Sequence, residues 1–308
     1  MAHFTIENPQ YKKHLADFLV MIDAKNLSGG QARAYKSALL EFLSWLETNQ
    51  VEQVQDILPR HVNLYAGYLE TRPNRRREGG LSQSSIVGTH FLAIRSFFEF
   101  LLETGALDAI VLLPKKLRAK YQPRQIATEE EIKKIYAVCE TYRDRSLLSC
   151  AYGAGLRRTE IHWLDMYDVQ LSKARLSVRE GKGRKTRSVV LCEAVIQDFK
   201  TYLNTERTRY VENGKIPTHA FLVNDRGKRM TGDHMNERLK ELIEKTGSEE
   251  LIKKELSLHS LRASISTHLV DRGADIDFVQ SFLGHSNIDS SHIYIQRRKQ
   301  KLLIQSQK

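Results

Sequence analysis

Six side chains of this 308-residue chain stand in an order that suits moving a phosphodiester onto a phenol. Arg157 lies in Gly155-Leu156-Arg157-Arg158-Thr159-Glu160, and Lys182 stands between Gly181 and Gly183. His259 and Arg262 share the run His259-Ser260-Leu261-Arg262. His285 closes Leu283-Gly284-His285, and Tyr294 follows nine positions later. Attack on a phosphodiester builds charge on two non-bridging oxygens of a five-coordinate phosphorus. A guanidinium donates two parallel hydrogen bonds and stays charged at every relevant pH, so Arg157 and Arg262 are the candidates for those oxygens. The Tyr294 hydroxyl, with an ordinary pKa of about 10, needs a base or a cationic field before it attacks. Lys182, on a glycine-flanked turn, can give a proton to the leaving hydroxyl. His259 and His285 can exchange protons near neutral pH or bind a phosphate oxygen. Each fragment alone has a plainer reading, as a solvated turn lysine, a helix pair at i and i+3, a capping histidine or a core tyrosine. The ordered set is what is uncommon.

Other chemistries find less support. The sequence has no H-E-x-x-H, Walker loop, G-x-S-x-G or EF-hand series. Asp271, Asp275 and Asp277 come nearest to a metal site, but Arg272 stands among them, so neither metal nor cofactor is expected. Cys139, Cys150 and Cys192 are odd in number and lack a C-x-x-C, which predicts reduced, mostly buried thiols and no disulfide or zinc scaffold. With 41% hydrophobic and 28% charged residues, the composition is that of a soluble globular chain long enough for two domains.

A formal charge of +11 points to a polyanionic partner. Basic residues gather at segment boundaries. Lys115, Lys116, Arg118, Lys120 and Arg124 fall in an acid-free stretch and are candidate DNA contacts; Arg72, Arg75 and Arg76 form a second run, and Arg297, Arg298 and Lys299 a third. No apolar run approaches a membrane span and the first residues lack a signal-peptide core. The expectation is a cytoplasmic protein with no membrane partner.

Two kinds of domain must position these groups. Residues 1–113 read as a helical bundle, with stripes at Leu39, Phe42, Leu43 and Leu46 and at Ile94, Phe97, Phe98 and Leu101, the latter stopping near Gly105. Shorter helical patterns run from Tyr11 to Ile22 and from Pro59 to Leu69, with Gly29-Gly30 and residues 72–80 as loops. Prolines at 114 and 123 bracket a basic linker, 114–124. In residues 125–308, Thr128 and Glu131 form a capping box whose helix buries Ile132, Ile135, Tyr136 and Cys139. Leu176 and Val178, then Ser188 to Leu191, flank Gly181-Lys182-Gly183 as a small antiparallel sheet with a glycine turn. Helices resume from Ala194, broken around residues 213–217 and 224–227. The expected fold is mainly α, a helical bundle followed by a mostly helical α+β domain.

In type, order and spacing, the motifs between Gly155 and Tyr294 resemble the tyrosine recombinases, also called the phage-integrase family, and above all its Xer-like members. The resemblance extends over essentially the whole chain. It implies that Arg157, Lys182, His259, Arg262 and His285 are the activating residues, Tyr294 the nucleophile, and Glu160 a support for the first arginine. Residues 1–113 would be a SAM-like core-binding domain that closes with the catalytic domain around a duplex. Two departures are visible: Ala263 stands where many relatives carry histidine, and Asp289-Ser290-Ser291-His292 is poor in threonine. Neither removes a reacting group.

The implied activity is site-specific recombination of double-stranded DNA at short inverted core sites, by a 3′-phosphotyrosyl intermediate and a Holliday junction, without ATP or metal. A monomer in solution would become a homo-tetramer on two DNA sites. The start of the chain at the helical bundle is taken to leave no room for an arm-binding domain. Type IB topoisomerases and telomere resolvases share much of this residue set, and a catalytically dead DNA-binding accessory protein is the reading from another class. Target sequence, biological role and any second recombinase or accessory protein are left open at this point.

Overall fold

The structure, a computed structural model, describes residues 4–25, 29–74, 79–113, 125–179, 187–214 and 217–284. The chain divides into two compact units, Met1–Gln122 and Pro123–Lys308, each with its own apolar core.

In the first unit, helix α1 (Pro9–Ala24) starts where Asn8 accepts hydrogen bonds from the backbone N–H groups of Gln10 and Tyr11, with proline in the first turn. Its buried residues Tyr11, Leu15, Phe18 and Ile22 recur at helical spacing and form one stripe. Helix α2 (Gly29–Thr48) buries the expected Leu39, Phe42, Leu43 and Leu46, and α3 (Pro59–Thr71) buries Val62, Tyr65 and Leu69. A short α4 (Gln83–Ser85) runs through a π-helical segment, Ile86–Phe91, into α5 (Leu92–Glu103). Gly105 stops α5 at φ +71°, a conformation that carries little penalty without a Cβ.

Two expectations need correction here. Gly29 and Gly30 open α2, because glycine's cost in a helix is backbone entropy, which counts most in the interior, and glycine is well tolerated at a helix start. The continuous helical stretch Gln83–Glu103 is, by length and composition alone, apolar enough to cross a membrane. Its apolar residues are instead the centre of the bundle: Ile94, Phe97 and Phe98 are buried, and Phe97 stands edge-on to Phe18 with ring centroids 5.4 Å apart.

The second unit opens with α6 (Glu129–Ala137). Thr128 accepts from the Glu131 N–H at 3.2 Å while Glu131 accepts from the Thr128 N–H at 2.7 Å, the reciprocal cap expected from the sequence. Helix α7 (Tyr142–Leu148) continues as a π-helical turn, Ser149–Gly153, and α8 (Arg158–Trp163) follows. The sheet is antiparallel, order β1-β2-β3, from β1 (Val169–Gln170), β2 (Arg175–Val178) and β3 (Arg187–Val190). Its register pairs Leu176 with Val189 and Val178 with Arg187. Helices α9 (Glu193–Thr201), α10 (Thr208–Glu212), α11 (Gly232–Lys245), α12 (Glu249–Lys253), α13 (Leu258–Asp271) and α14 (Ile276–Leu283) complete the unit.

The core joins Leu147, Leu156, Ile161, Leu176, Val189, Phe199, Leu239 and Leu261, so sheet and helices share one interior. Of the three thiols, Cys150 is buried, Cys139 half-buried and Cys192 exposed, which corrects the expectation of mostly buried thiols. Cys192 sits at the start of α9, outside the stripe that helix turns inward.

Replacing Phe97 with alanine removes a fully buried ring from the first core. It is expected to lower stability by about 3–5 kcal/mol in urea unfolding. A loss below 1 kcal/mol would mean that this ring does not anchor the bundle.

Candidate active site

The site is built where two chain reversals and the start of a strand meet. The first follows the π-helical turn, which closes when the Ala154 N–H bonds to the Ser149 carbonyl and the Leu156 N–H to the Cys150 carbonyl. Gly155 takes φ +59° between them. A Cβ there would stand 2.9 Å from the Phe282 ring and 3.0 Å from Leu283, so glycine is needed for conformation and for space. The chain then extends through Arg157 and enters α8. Glu160, three residues on, turns back to accept the Arg157 N–H at 2.7 Å. Its other oxygen accepts from the Arg157 guanidinium at 2.6 Å. The spacing Arg-x-x-Glu thus caps a helix and aims an arginine with one carboxylate.

The second reversal is the end of α14. Gly284 stands at φ +64°, leaving terminal carbonyls without helical partners. Arginines satisfy them: Arg157 Nη2 donates to the Gly284 carbonyl at 3.1 Å, and Arg262 Nη2 to the Leu283 carbonyl at 2.6 Å. The negative end of a helix dipole suits both cations. Arg262 projects from α13, a helix capped by Ser257, and Nη1 donates to the Gly155 carbonyl. The same Nη1 lies 3.7 Å from Glu160. Arg262 is buried, whereas His259, one turn earlier on the same helix, is exposed.

The third contribution is Arg187, the first residue of β3, which the motifs did not single out. Its guanidinium grips Glu160 with two bonds, 2.7 and 2.8 Å. A signal was present: side chains alternate along a strand, so Arg187 shares a face with buried Val189 and pairs with buried Val178. A basic residue on the inward parity of a strand needs an anionic partner.

Burial by itself would raise the Glu160 carboxyl. The two bonds from Arg187, with those from Arg157, overcome it and hold the group at about 2, so it is ionised at every working pH. Among the described residues, one carboxylate therefore serves three guanidiniums, a surplus of two positive charges. Arg157 remains one-third exposed at this point. Such an arrangement, with donors held by backbone carbonyls, suits an anion with several oxygens.

The structure thus brings Arg157 and Arg262 together around Glu160 and places His259 on the Arg262 helix. Lys182, His285 and Tyr294 lie outside the described residues, as do Lys115, Lys116, Arg118, Lys120 and Arg124. Lys182 belongs to the segment joining β2 to β3, whose antiparallel pairing agrees with the expected hairpin. Asp275, weighed above as a metal ligand, caps α14 by accepting the Asp277 N–H at 2.8 Å.

Comparison with known proteins fits this geometry. Residues 125–301 match the model of the phage integrase family, and residues 15–105 match the phage integrase N-terminal SAM-like domain. The chain belongs to the phage integrase family. As a tyrosine recombinase it is a DNA strand transferase that carries out site-specific recombination. Tyrosine recombinase XerD of Staphylococcus epidermidis is 32% identical over 289 residues, covering 90% of this chain and 91% of that protein. Tyrosine recombinase XerD of Listeria innocua is 29% identical over 294 residues, covering 93% and 94%.

Among solved structures, the Tn1549 transposon integrase in complex with circular intermediate DNA matches with a TM-score of 0.71 at 16% identity, covering 91% of this chain and 94% of that one. The XerH site-specific recombinase bound to a palindromic difH substrate matches with a TM-score of 0.70 at 19% identity, covering 98% and 90%. At these identities the likeness is one of fold.

Glu160 gives a testable sign. A depressed carboxyl stabilises the fold above its unfolded value, near 4.5, and that stability is lost as pH falls towards 2; the amount is on the order of 3 kcal/mol. Glu160→Gln should be less stable than wild type by about 3–5 kcal/mol at pH 7, because buried guanidiniums lose their anion. The gap should narrow between pH 5 and pH 2 in urea unfolding. A gap that stays constant with pH would show that Glu160 is not the ionised centre of the cluster.

Proposed function

We propose that this recombinase cuts and rejoins double-stranded DNA at short inverted core sites through a covalent 3′-phosphotyrosyl link to Tyr294. The observation that carries the reading is the pair Arg157 and Arg262, held around Glu160 with surplus positive charge, in a chain whose family motifs continue to Tyr294. The two guanidiniums take the non-bridging oxygens, where charge builds in the five-coordinate state. Lys182 protonates the 5′-oxygen as it leaves, giving the hydroxyl, and His259 and His285 act beside the phosphate, where a neutral imidazole can accept the proton that the Tyr294 phenol gives up. The tyrosyl ester keeps the energy of the broken bond, so the freed 5′-hydroxyl of a partner duplex can attack it and form a Holliday junction. With arginines neutralising the phosphate and no bond energy lost to water, neither a divalent metal nor ATP is needed.

Residues 1–113 are assigned to a DNA-binding core-binding domain, and the linker residues Lys115, Lys116, Arg118, Lys120 and Arg124 to phosphate contacts. A homo-tetramer on two sites, assembled from monomers on DNA in the cytoplasm, is the working unit. The Tn1549 integrase in complex with circular intermediate DNA and XerH bound to its palindromic difH substrate support the choice of partner.

The test uses a duplex carrying the chain's mapped core site, nicked beside the cleavage point so that religation fails. Wild type should accumulate a covalent adduct at an unchanged rate in EDTA, whereas Tyr294→Phe should shift the duplex in a gel without becoming attached. No adduct with wild type would leave a DNA-binding accessory protein as the reading. Adduct formation without strand exchange between two labelled duplexes would favour a topoisomerase or telomere resolvase.

Lys182→Ala should bind normally and cleave at least 100-fold more slowly, a range ordinary for loss of a general acid. A 5′-bridging sulfur, which leaves without a proton, should restore its rate. Failure of that rescue would remove Lys182 from the acid role.

A further inference from the structure

We infer that Arg187 is a positioning residue for this reaction, which holds Glu160 as an anion so that Glu160 can hold Arg157 and Arg262. The inference rests on the recombinase reading for its activity test, but its structural basis is independent of that reading.

Three charged groups face Glu160 among the described residues: Arg157 at the start of its own helix, Arg187 from β3 and Arg262 from α13. Their contributions are unequal. Arg187 makes the only two-pronged side-chain grip described, at 2.7 and 2.8 Å, one N–H to each carboxylate oxygen. Arg157 reaches one oxygen with its side chain, and Arg262 approaches only to 3.7 Å. The two arginines assigned to the phosphate thus share an anion whose charge is secured chiefly by a third. Arg187 also reaches Glu160 by passing Gly284 closely, since a Cβ on Gly284 would overlap Arg187 Cδ. One guanidinium stem therefore lies between the Arg-x-x-Glu turn and the end of α14, whose carbonyls hold Arg157 and Arg262.

Position in the chain adds to this. Arg187 begins β3, five residues after Lys182, and its strand is fixed by pairing with β2 and by buried Val189. The grip on Glu160 ties the start of that strand to the arginine cluster. Nothing in the chemistry asks Arg187 to touch the DNA: its side chain is about nine-tenths covered, and both terminal nitrogens donate to a carboxylate while the buried Nε has no hydrogen-bond partner among the described residues.

The test compares wild type, Arg187→Gln and Arg187→Lys on the same nicked duplex, with folding checked by circular dichroism. Arg187→Gln should bind within about threefold of wild type but form adduct roughly 100-fold more slowly at pH 7.5, as expected when a catalytic cation is misplaced. Its rate relative to wild type should fall further from pH 8 to pH 5.5, because Glu160, still buried but less compensated, takes up a proton in that direction. Arg187→Lys keeps the charge without the fork, so it should lie between the two and keep most of the wild-type pH profile.

An adduct rate for Arg187→Gln equal to wild type, or a ratio constant with pH, would overturn the assignment. If wild type itself forms no adduct, the recombinase reading fails and the assignment is judged on the free protein. There Arg187→Gln should lose less stability than wild type between pH 5 and pH 2.5 in urea unfolding, since its Glu160 has less depression to give up. Equal losses in that measurement would overturn it as well. Should Arg187→Gln fail to fold, Arg187→Lys is read in its place by its adduct rate alone, and a rate equal to wild type would overturn the assignment.

Discussion

One buried carboxylate organises the second unit's cationic centre. Glu160 is ionised only because guanidiniums surround it, and those guanidiniums tolerate one another only because it is ionised. Bringing three arginines within reach of one point would otherwise be opposed by mutual repulsion in a low-dielectric setting. The cluster is thus a balanced structural element with a deliberate remainder of positive charge. That remainder is what the phosphodiester of the proposed reaction would use, and the chain's own contacts hold it in place.

The rest of the unit can be understood as a means of delivering these groups to that point. Gly155 turns the chain so that Arg157 caps α8, and α13 carries Arg262 inward on its buried side. Helix α14 ends with its carbonyls towards both arginines, and the sheet supplies Arg187. The turn into α8 brings both Arg157 and Glu160, and no two of the arginines come from the same element. Precision therefore depends on the shared core of Leu156, Ile161, Leu176, Val189 and Leu261, which fixes the elements against one another.

Much of this could be read from the chain alone, for identifiable reasons. Local signals with a direct physical cause survived: the Thr128–Glu131 cap, the apolar stripes of α2 and α5, the paired strands around Gly181-Lys182-Gly183 and the stop at Gly105. The family motifs located Arg157 and Arg262 without showing that backbone carbonyls aim them, because those acceptors carry no side-chain signature. Arg187 was missed because a lone arginine in a basic stretch looks solvated; only the parity of β3 and the register with Val178 turn it inward. Gly29 and Gly30 misled in the opposite direction, since glycine pairs mark loops more often than helix starts. The exposure of Cys192 depends on which turn of α9 faces the core, a tertiary matter that composition does not encode.

Gly155 and Gly284 have no reactive atom, yet each sits at positive φ with its missing carbon pointed into occupied space. At Gly284 the occupant is the very stem that reaches the central carboxylate; at Gly155 it is the ring and the leucine at the end of α14. A single methyl group would have to displace the Arg187 stem at Gly284, or at Gly155 the side chains that end α14 beside the carbonyls holding Arg157 and Arg262. Inactivation by drift can therefore begin without altering any group that meets the substrate, and a lineage losing this activity could still display a complete set of motif arginines.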